Sequence, residues 1–112
     1  MLSVNEKTFP SIVLESPQPV LVYFWAPWCG LCRFVNPLLG RLQAEVGDSL
    51  QLVDVNADAN FRLANAYRLR SLPTLLLFHQ GQIIQRLEDF RVREDLQSIC
   101  EFVRSYFMAR SA

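Results

Sequence analysis

The chain has little charge of either sign to spare and few of the residues that staple small domains. Eleven basic side chains face eleven acidic ones, so the formal net charge is zero. Nothing in that balance directs the protein toward nucleic acid or an acidic membrane surface. No apolar run approaches the ~18 residues of a membrane span. The opening Met1-Leu2-Ser3-Val4-Asn5-Glu6-Lys7 has neither a basic n-region nor an apolar h-region, so a secretory signal is not expected. Cysteine is scarce and odd in number, with three residues, Cys29, Cys32 and Cys100. That argues against the paired framework of a secreted mini-domain and for a reducing compartment that holds one reactive pair. A cytoplasmic location is expected, or another reducing compartment if a targeting segment has been removed. Repeats and low-complexity stretches are lacking too.

What the chain does have is a core. Of its 112 residues 51% are hydrophobic, enough for one self-sufficient domain over residues 1–112. Strand-like and helix-like stretches alternate. Asn5 is a plausible cap for a short helix reaching Leu14, and Ser16-Pro17-Gln18-Pro19 breaks it. Val20 to Trp25 is apolar at nearly every position, as in a strand covered on both faces. Arg33 to Val46 reads as a helix with Phe34, Leu38, Leu42 and Val46 as its apolar positions, Pro37 as an expected kink and Gly47-Asp48 as its end. Leu50 to Val55 is a second strand, and Phe61 to Tyr67 a short helix. Thr74 to Phe78 and Ile83 to Leu87 form a hairpin around Gln80-Gly81. Arg93 to about Met108 is a last helix with Leu96, Ile99, Cys100, Val103 and Phe107 on one face. Right-handed crossover makes the first two main strands parallel neighbours, and the hairpin adds antiparallel ones. The expected fold class is therefore α/β, a three-layer α/β/α sandwich with a central mixed sheet.

The chemistry concentrates in Trp25-Ala26-Pro27-Trp28-Cys29-Gly30-Leu31-Cys32, between the first main strand and the helix after it. Free N–H groups and the dipole at a helix N-terminus favour thiolate over thiol, and the thiolate is the species that attacks disulfides. A Cys-x-x-Cys pair also serves as half of a zinc site. Zinc wants four ligands, and only Cys100 and His79 remain. Cys100 falls on an apolar helix face, where a cysteine acts as a small hydrophobe, and His79 falls beside a polar turn, where a solvated side chain is expected. No metal is expected.

With Phe24-Trp25-Ala26-Pro27-Trp28-Cys29-Gly30-Leu31-Cys32, Pro37, Val55-Asn56-Ala57-Asp58, Leu72-Pro73-Thr74-Leu75-Leu76-Leu77-Phe78 and the turn at Gly81, the chain resembles the thioredoxin family over nearly its whole length. The resemblance implies the thioredoxin fold and a thiol–disulfide oxidoreductase that reduces protein disulfides. Cys29 would be the exposed nucleophile and Cys32 the buried resolving thiol. Gly30 would allow close approach of the target backbone. Pro73 would be the family's cis-proline against the disulfide, Leu72 would pair with an extended target segment, and Trp28 would wall the docking surface. The redox group would be the Cys29–Cys32 disulfide itself, with no other cofactor. Partners would be protein disulfides and an electron-donating reductase, with no nucleic acid or membrane, and the protein would be a monomer.

Several positions depart from the family pattern. Its buried aspartate is replaced by Tyr23, a poor base at neutral pH, while Asp54 stands where a lysine is usual. Asp54, through water or the Tyr23 hydroxyl, either takes over as proton acceptor or is merely a solvated strand-end carboxylate. Leu31 replaces the proline between the cysteines and restores an N–H that would stabilise the Cys29 thiolate, giving a less negative potential. Glu88 and Asp89, followed by Phe90, occupy the place of a groove glycine and would narrow the groove and repel acidic partners. The family's opening strand is not evident before the first helix. The competing functional reading is a redox sensor or docking module of the same fold with little general reductase activity.

Overall fold

The structure, a computed structural model, describes residues 1–88 together with 101, 104 and 105. Five strands form one sheet: β1 (Leu2–Ser3), β2 (Val20–Trp25), β3 (Gln51–Asn56), β4 (Thr74–His79) and β5 (Gln82–Leu87), in the order β1-β3-β2-β4-β5. β1 and β2 run parallel to β3, β4 runs antiparallel to β2, and β5 antiparallel to β4. The helix α1 (Cys32–Val46) makes the crossover from β2 to β3, and α2 (Phe61–Ala66) lies on the way from β3 to β4.

β2 is central, which explains its unbroken apolar run: its first five residues are all buried. The period of two sorts them onto opposite faces. Leu21 and Tyr23 join Cys29, Cys32, Val35, Leu39 and Leu42 in one core. Val20, Val22 and Phe24 join Phe9, Val13, Val53, Val55, Leu76 and Phe78 in the other, with Leu63 and Tyr67 packed alongside. One core is roofed by α1, the other by the Pro10–Leu14 turn and α2, which makes the three expected layers.

Several local expectations are corrected. An opening strand exists after all, two residues long: Leu2 and Ser3 pair with Val53 and Asp54. Asn5 does cap, since its Oδ1 accepts the Lys7 and Thr8 N–H groups at 2.9 and 3.0 Å, but the segment it starts settles into a π-helical turn over Pro10–Leu14. In α1 the buried stripe is Cys32, Val35, Leu39 and Leu42, while Phe34 is exposed. Residues spaced strictly by four drift by about 40° per step around a helix of 3.6 residues per turn, so Phe34 and Leu42 cannot share one narrow face. Pro37 does lie inside α1. β3 starts one residue later than expected because Gly47–Ser49 forms a short 3₁₀ turn. The hairpin turn has positive φ at both central residues, 55° at Gln80 and 78° at Gly81, as a twisted two-residue hairpin requires. A Cβ on Gly81 would lie 3.1 Å from the Leu14 carbonyl oxygen. The last predicted helix, with Cys100, lies outside the described residues apart from Glu101, Arg104 and Ser105. Arg104 forms an ion pair with Glu45 of α1. His79 is half-buried rather than solvated.

Candidate active site

At the end of β2 the chain turns over Ala26-Pro27-Trp28, with the Cys29 N–H donating to the Ala26 carbonyl at 3.1 Å. Cys29 and Cys32 are joined as a disulfide with Cα atoms 5.4 Å apart. Cys32 opens α1, and its N–H donates to Cys29 Sγ at 3.2 Å. The sulfur thus sits where a capping oxygen usually sits, accepting an N–H three residues on. A thiolate there gains both that hydrogen bond and the positive end of α1.

Two expectations change at this point. Cys29 is not exposed: it is 6% accessible, against 3% for Cys32. It belongs to the buried cluster that also holds Cys32, Tyr23, Ala26 and Val35, while the neighbouring Trp28 is 69% accessible. The N–H that reaches the sulfur is that of Cys32, not that of Leu31.

Tyr23 stands on the same face as the pair, in register with Asp54 of β3. Its hydroxyl donates to the Cys32 carbonyl at 3.0 Å. Burial first, and the nearby negative charge of Asp54 second, push its pKa well above the ordinary phenol value. Tyr23 is therefore a fixed donor and not a base. Asp54 itself is held on two sides: Trp25 Nε1 donates to its Oδ1 at 2.9 Å, and Ser3 Oγ lies 3.0 Å from both carboxylate oxygens. The expected passage of a proton from Cys32 to Asp54 through the Tyr23 hydroxyl is not made, because that hydroxyl is committed to the Cys32 carbonyl.

Opposite this turn is the loop entering β4. The Leu72–Pro73 bond is cis. Phe24 pairs with Thr74, which sets Pro73 at the sheet end from which the cysteine turn springs. Leu72 packs against both cores. Trp28, Ala57, Asp58, Ala64, Leu69, Arg70, Ser71 and Leu72 line a groove of about 250 Å³. The indole of Trp28 is fixed by its Nε1 donating to Asp58 Oδ2 at 2.7 Å. A Cβ added at Gly30 would meet nothing within 4 Å, so the fold leaves open space there.

Glu88 does not stand as a bare repulsive charge. Arg70 Nη2 donates to its Oε1 at 2.9 Å, and Arg86 Nε lies 3.3 Å from its Oε2. The hydrogen bond from Arg70, reinforced by Arg86 and opposed by partial desolvation, holds the Glu88 carboxyl below the usual range. Asp89 and Phe90 lie outside the described residues. Sequence reasoning missed Asp58, Arg70, Arg86 and Ser3. Asp58 had a readable signal: Asn56 Oδ1 accepts the Asp58 and Ala59 N–H groups, the turn an asparagine after a strand favours. An arginine in a hairpin strand carries no such signal.

A disulfide that caps a helix, with a cis-proline at the same end of the sheet, agrees with the comparisons. The family model described as Thioredoxin matches residues 1–102. The chain belongs to the thioredoxin family. It is 48% identical over 80 residues to Thioredoxin 1 of Synechococcus elongatus, covering 71% of this chain and 75% of that one. To the chloroplastic Thioredoxin M-type of Chlamydomonas reinhardtii it is 45% identical over 80 residues, 71% of this chain and 57% of the relative. To the thioredoxin of Haemophilus influenzae it is 39% identical over 84 residues, 75% and 78% of the two chains. As a thioredoxin with the Cys29–Cys32 pair in place, the protein is a thiol–disulfide oxidoreductase whose redox group is that disulfide.

Proposed function

We propose that the protein reduces disulfides of other proteins, with Cys29 as nucleophile and Cys32 as resolving thiol. The observation that carries this reading is the capping bond from the Cys32 N–H to Cys29 Sγ at the start of α1. It stabilises negative charge on the first sulfur selectively. In the reduced protein the Cys29 thiolate attacks one sulfur of a target disulfide and expels the other as a thiolate, which takes up a proton. Cys32 then loses its proton and attacks Cys29 Sγ. The second target sulfur leaves as a thiolate and is protonated in turn; with one proton from Cys32 and one from solvent, the pair has passed two electrons to the target. A reductase returns them to the pair. Trp28, Gly30, Leu72 and Pro73 act as the surface on which an extended target lies, its backbone pairing with that of Leu72. Asp54 is the acceptor for the Cys32 proton, directly or through water. The protein works as a monomer in a reducing compartment, on a restricted set of partners. The paired test is Cys32→Ser and Cys29→Ser. The first variant should accumulate target proteins in disulfide linkage to Cys29, and the second should trap none and turn over none. Equal trapping by both variants would defeat the assignment. A wild-type protein that binds partners but reduces no disulfide with dithiothreitol would favour the docking-module alternative.

A further inference from the structure

The segment from Tyr67 to Ser71 is tied down at every residue, and one side chain, Arg86, holds two consecutive carbonyls of it. Arg86 of β5 donates from Nη1 to the Tyr67 carbonyl at 2.6 Å and from Nη2 to the Arg68 carbonyl at 2.7 Å. These carbonyls lie just past the end of α2, where Arg68 turns into the left-handed region at φ 52°. A side chain other than glycine is disfavoured there, and a guanidinium that neutralises the outgoing carbonyls helps hold the turn. The same guanidinium approaches Glu88, which in turn accepts from Arg70. Leu69 is fixed by its N–H on the Ala64 carbonyl, and Ser71 by the Thr74 hydroxyl on its own carbonyl. The segment runs directly into the cis Leu72–Pro73 bond and supplies half of the groove lining.

We propose that Arg86 is a positioning residue for target recognition: it touches no target, but it sets the backbone on which Leu72 presents itself to a protein disulfide. This rests on the reductase reading above. A small disulfide needs only the sulfur of Cys29 and makes little use of the Leu72 backbone. A protein disulfide must pair along it. Loss of the Arg86 head group should therefore penalise protein targets and spare small ones.

The experiment compares second-order rate constants of the fully reduced protein toward insulin and toward 5,5′-dithiobis(2-nitrobenzoate). Arg86→Met keeps the apolar stem and removes the donors. It is expected to lower the insulin rate constant roughly tenfold, the effect of losing charge-assisted bonds, while the small disulfide reacts within about twofold of wild type. Arg86→Lys keeps the charge but loses the fork whose separate nitrogens reach the two carbonyls and Glu88, and should fall between. It also serves if the methionine variant folds poorly. In native-state hydrogen exchange the Leu69 amide should lose protection relative to Leu76 in mid-strand. An unchanged insulin rate, or equal falls on both substrates, overturns the positioning role alone. A wild-type protein inactive on both substrates overturns the reductase reading, and the inference with it.

Discussion

Two carboxylates show how a side chain's partners decide its chemistry. Asp54 lies in register with Tyr23 across the β2–β3 pair, beside the β2 position that lacks an aspartate. Its two donors, Trp25 and Ser3, leave lone pairs available on both oxygens. If it accepts the Cys32 proton, Asp54→Asn should slow resolution of a preformed mixed disulfide by about tenfold or more near neutral pH. Stopped-flow release of a labelled target across pH checks this, and an unchanged profile rejects the role. Glu88 is the opposite case, a carboxylate that is occupied. Because Arg70 and Arg86 hold its folded pKa below the ordinary value of about 4.3, its stabilising effect is complete above that value. It is lost as pH falls through the lower folded value. Glu88→Gln should therefore lower Tm by roughly 2–5 °C at pH 7, and the gap to wild type should close in thermal melts below pH 4.

At the scale of elements, the entry to α1 is the part most open to tuning. Leu31 has φ −66° and ψ −30°, within the range that proline imposes. Leu31→Pro therefore removes an N–H without bending the backbone, which makes it a clean substitution. The N–H bonded to the sulfur is that of Cys32, so the Leu31 N–H acts only through the positive end of α1 that the Cys29 thiolate faces; its loss should still make the thiolate less favoured and the disulfide harder to reduce. The wild-type potential should be less negative than that of the variant by about 30 mV, a tenfold difference in equilibrium with glutathione. The variant should also be slightly more stable, through its stiffer unfolded chain. An equal or less negative potential in Leu31→Pro refutes the tuning role. The edge of the sheet offers a contrast: β1 is only two residues long, yet Val4 behind it is buried and its N–H donates to the Asp54 carbonyl at 2.8 Å. The shortest strand thus helps fix the strand that carries Asp54.

For the whole molecule, two cores share one sheet, and β2 contributes to both. Loosening either face exposes the same strand, so a single unit over residues 1–112 should unfold as one. Urea denaturation followed by tryptophan fluorescence and by far-ultraviolet circular dichroism should give coincident transitions. Two separated transitions would contradict the single-domain expectation. Trp25 is half-buried at the core and Trp28 is exposed at the groove, so Trp28→Phe leaves a probe of the interior for the same measurement.

Much of this was readable in the chain itself. The apolar runs gave β2 and β4, because strands buried on both faces must be apolar throughout. The Cys-x-x-Cys spacing put both sulfurs within bonding reach at the start of α1, and Gln80-Gly81 marked the hairpin, because these are local matters of dihedral angle and reach. The two-residue β1 escaped notice, since so short an edge strand has no pattern of its own. The stripe on α1 was misplaced because spacing by four only approximates a helical face.

What the sequence alone determined about this protein is its redox pair, its layered fold and the order of its elements, since each follows from neighbours in the chain. The tertiary structure decided the rest: that Cys29 lies inward, that the Tyr23 hydroxyl serves the Cys32 carbonyl and not Asp54, and that Glu88 is clasped by two arginines. Those outcomes rest on pairs such as Tyr23 with Cys32 and Arg70 with Glu88, 9 and 18 positions apart, or turn on where a side chain points, and only folding brings such groups within hydrogen-bonding distance.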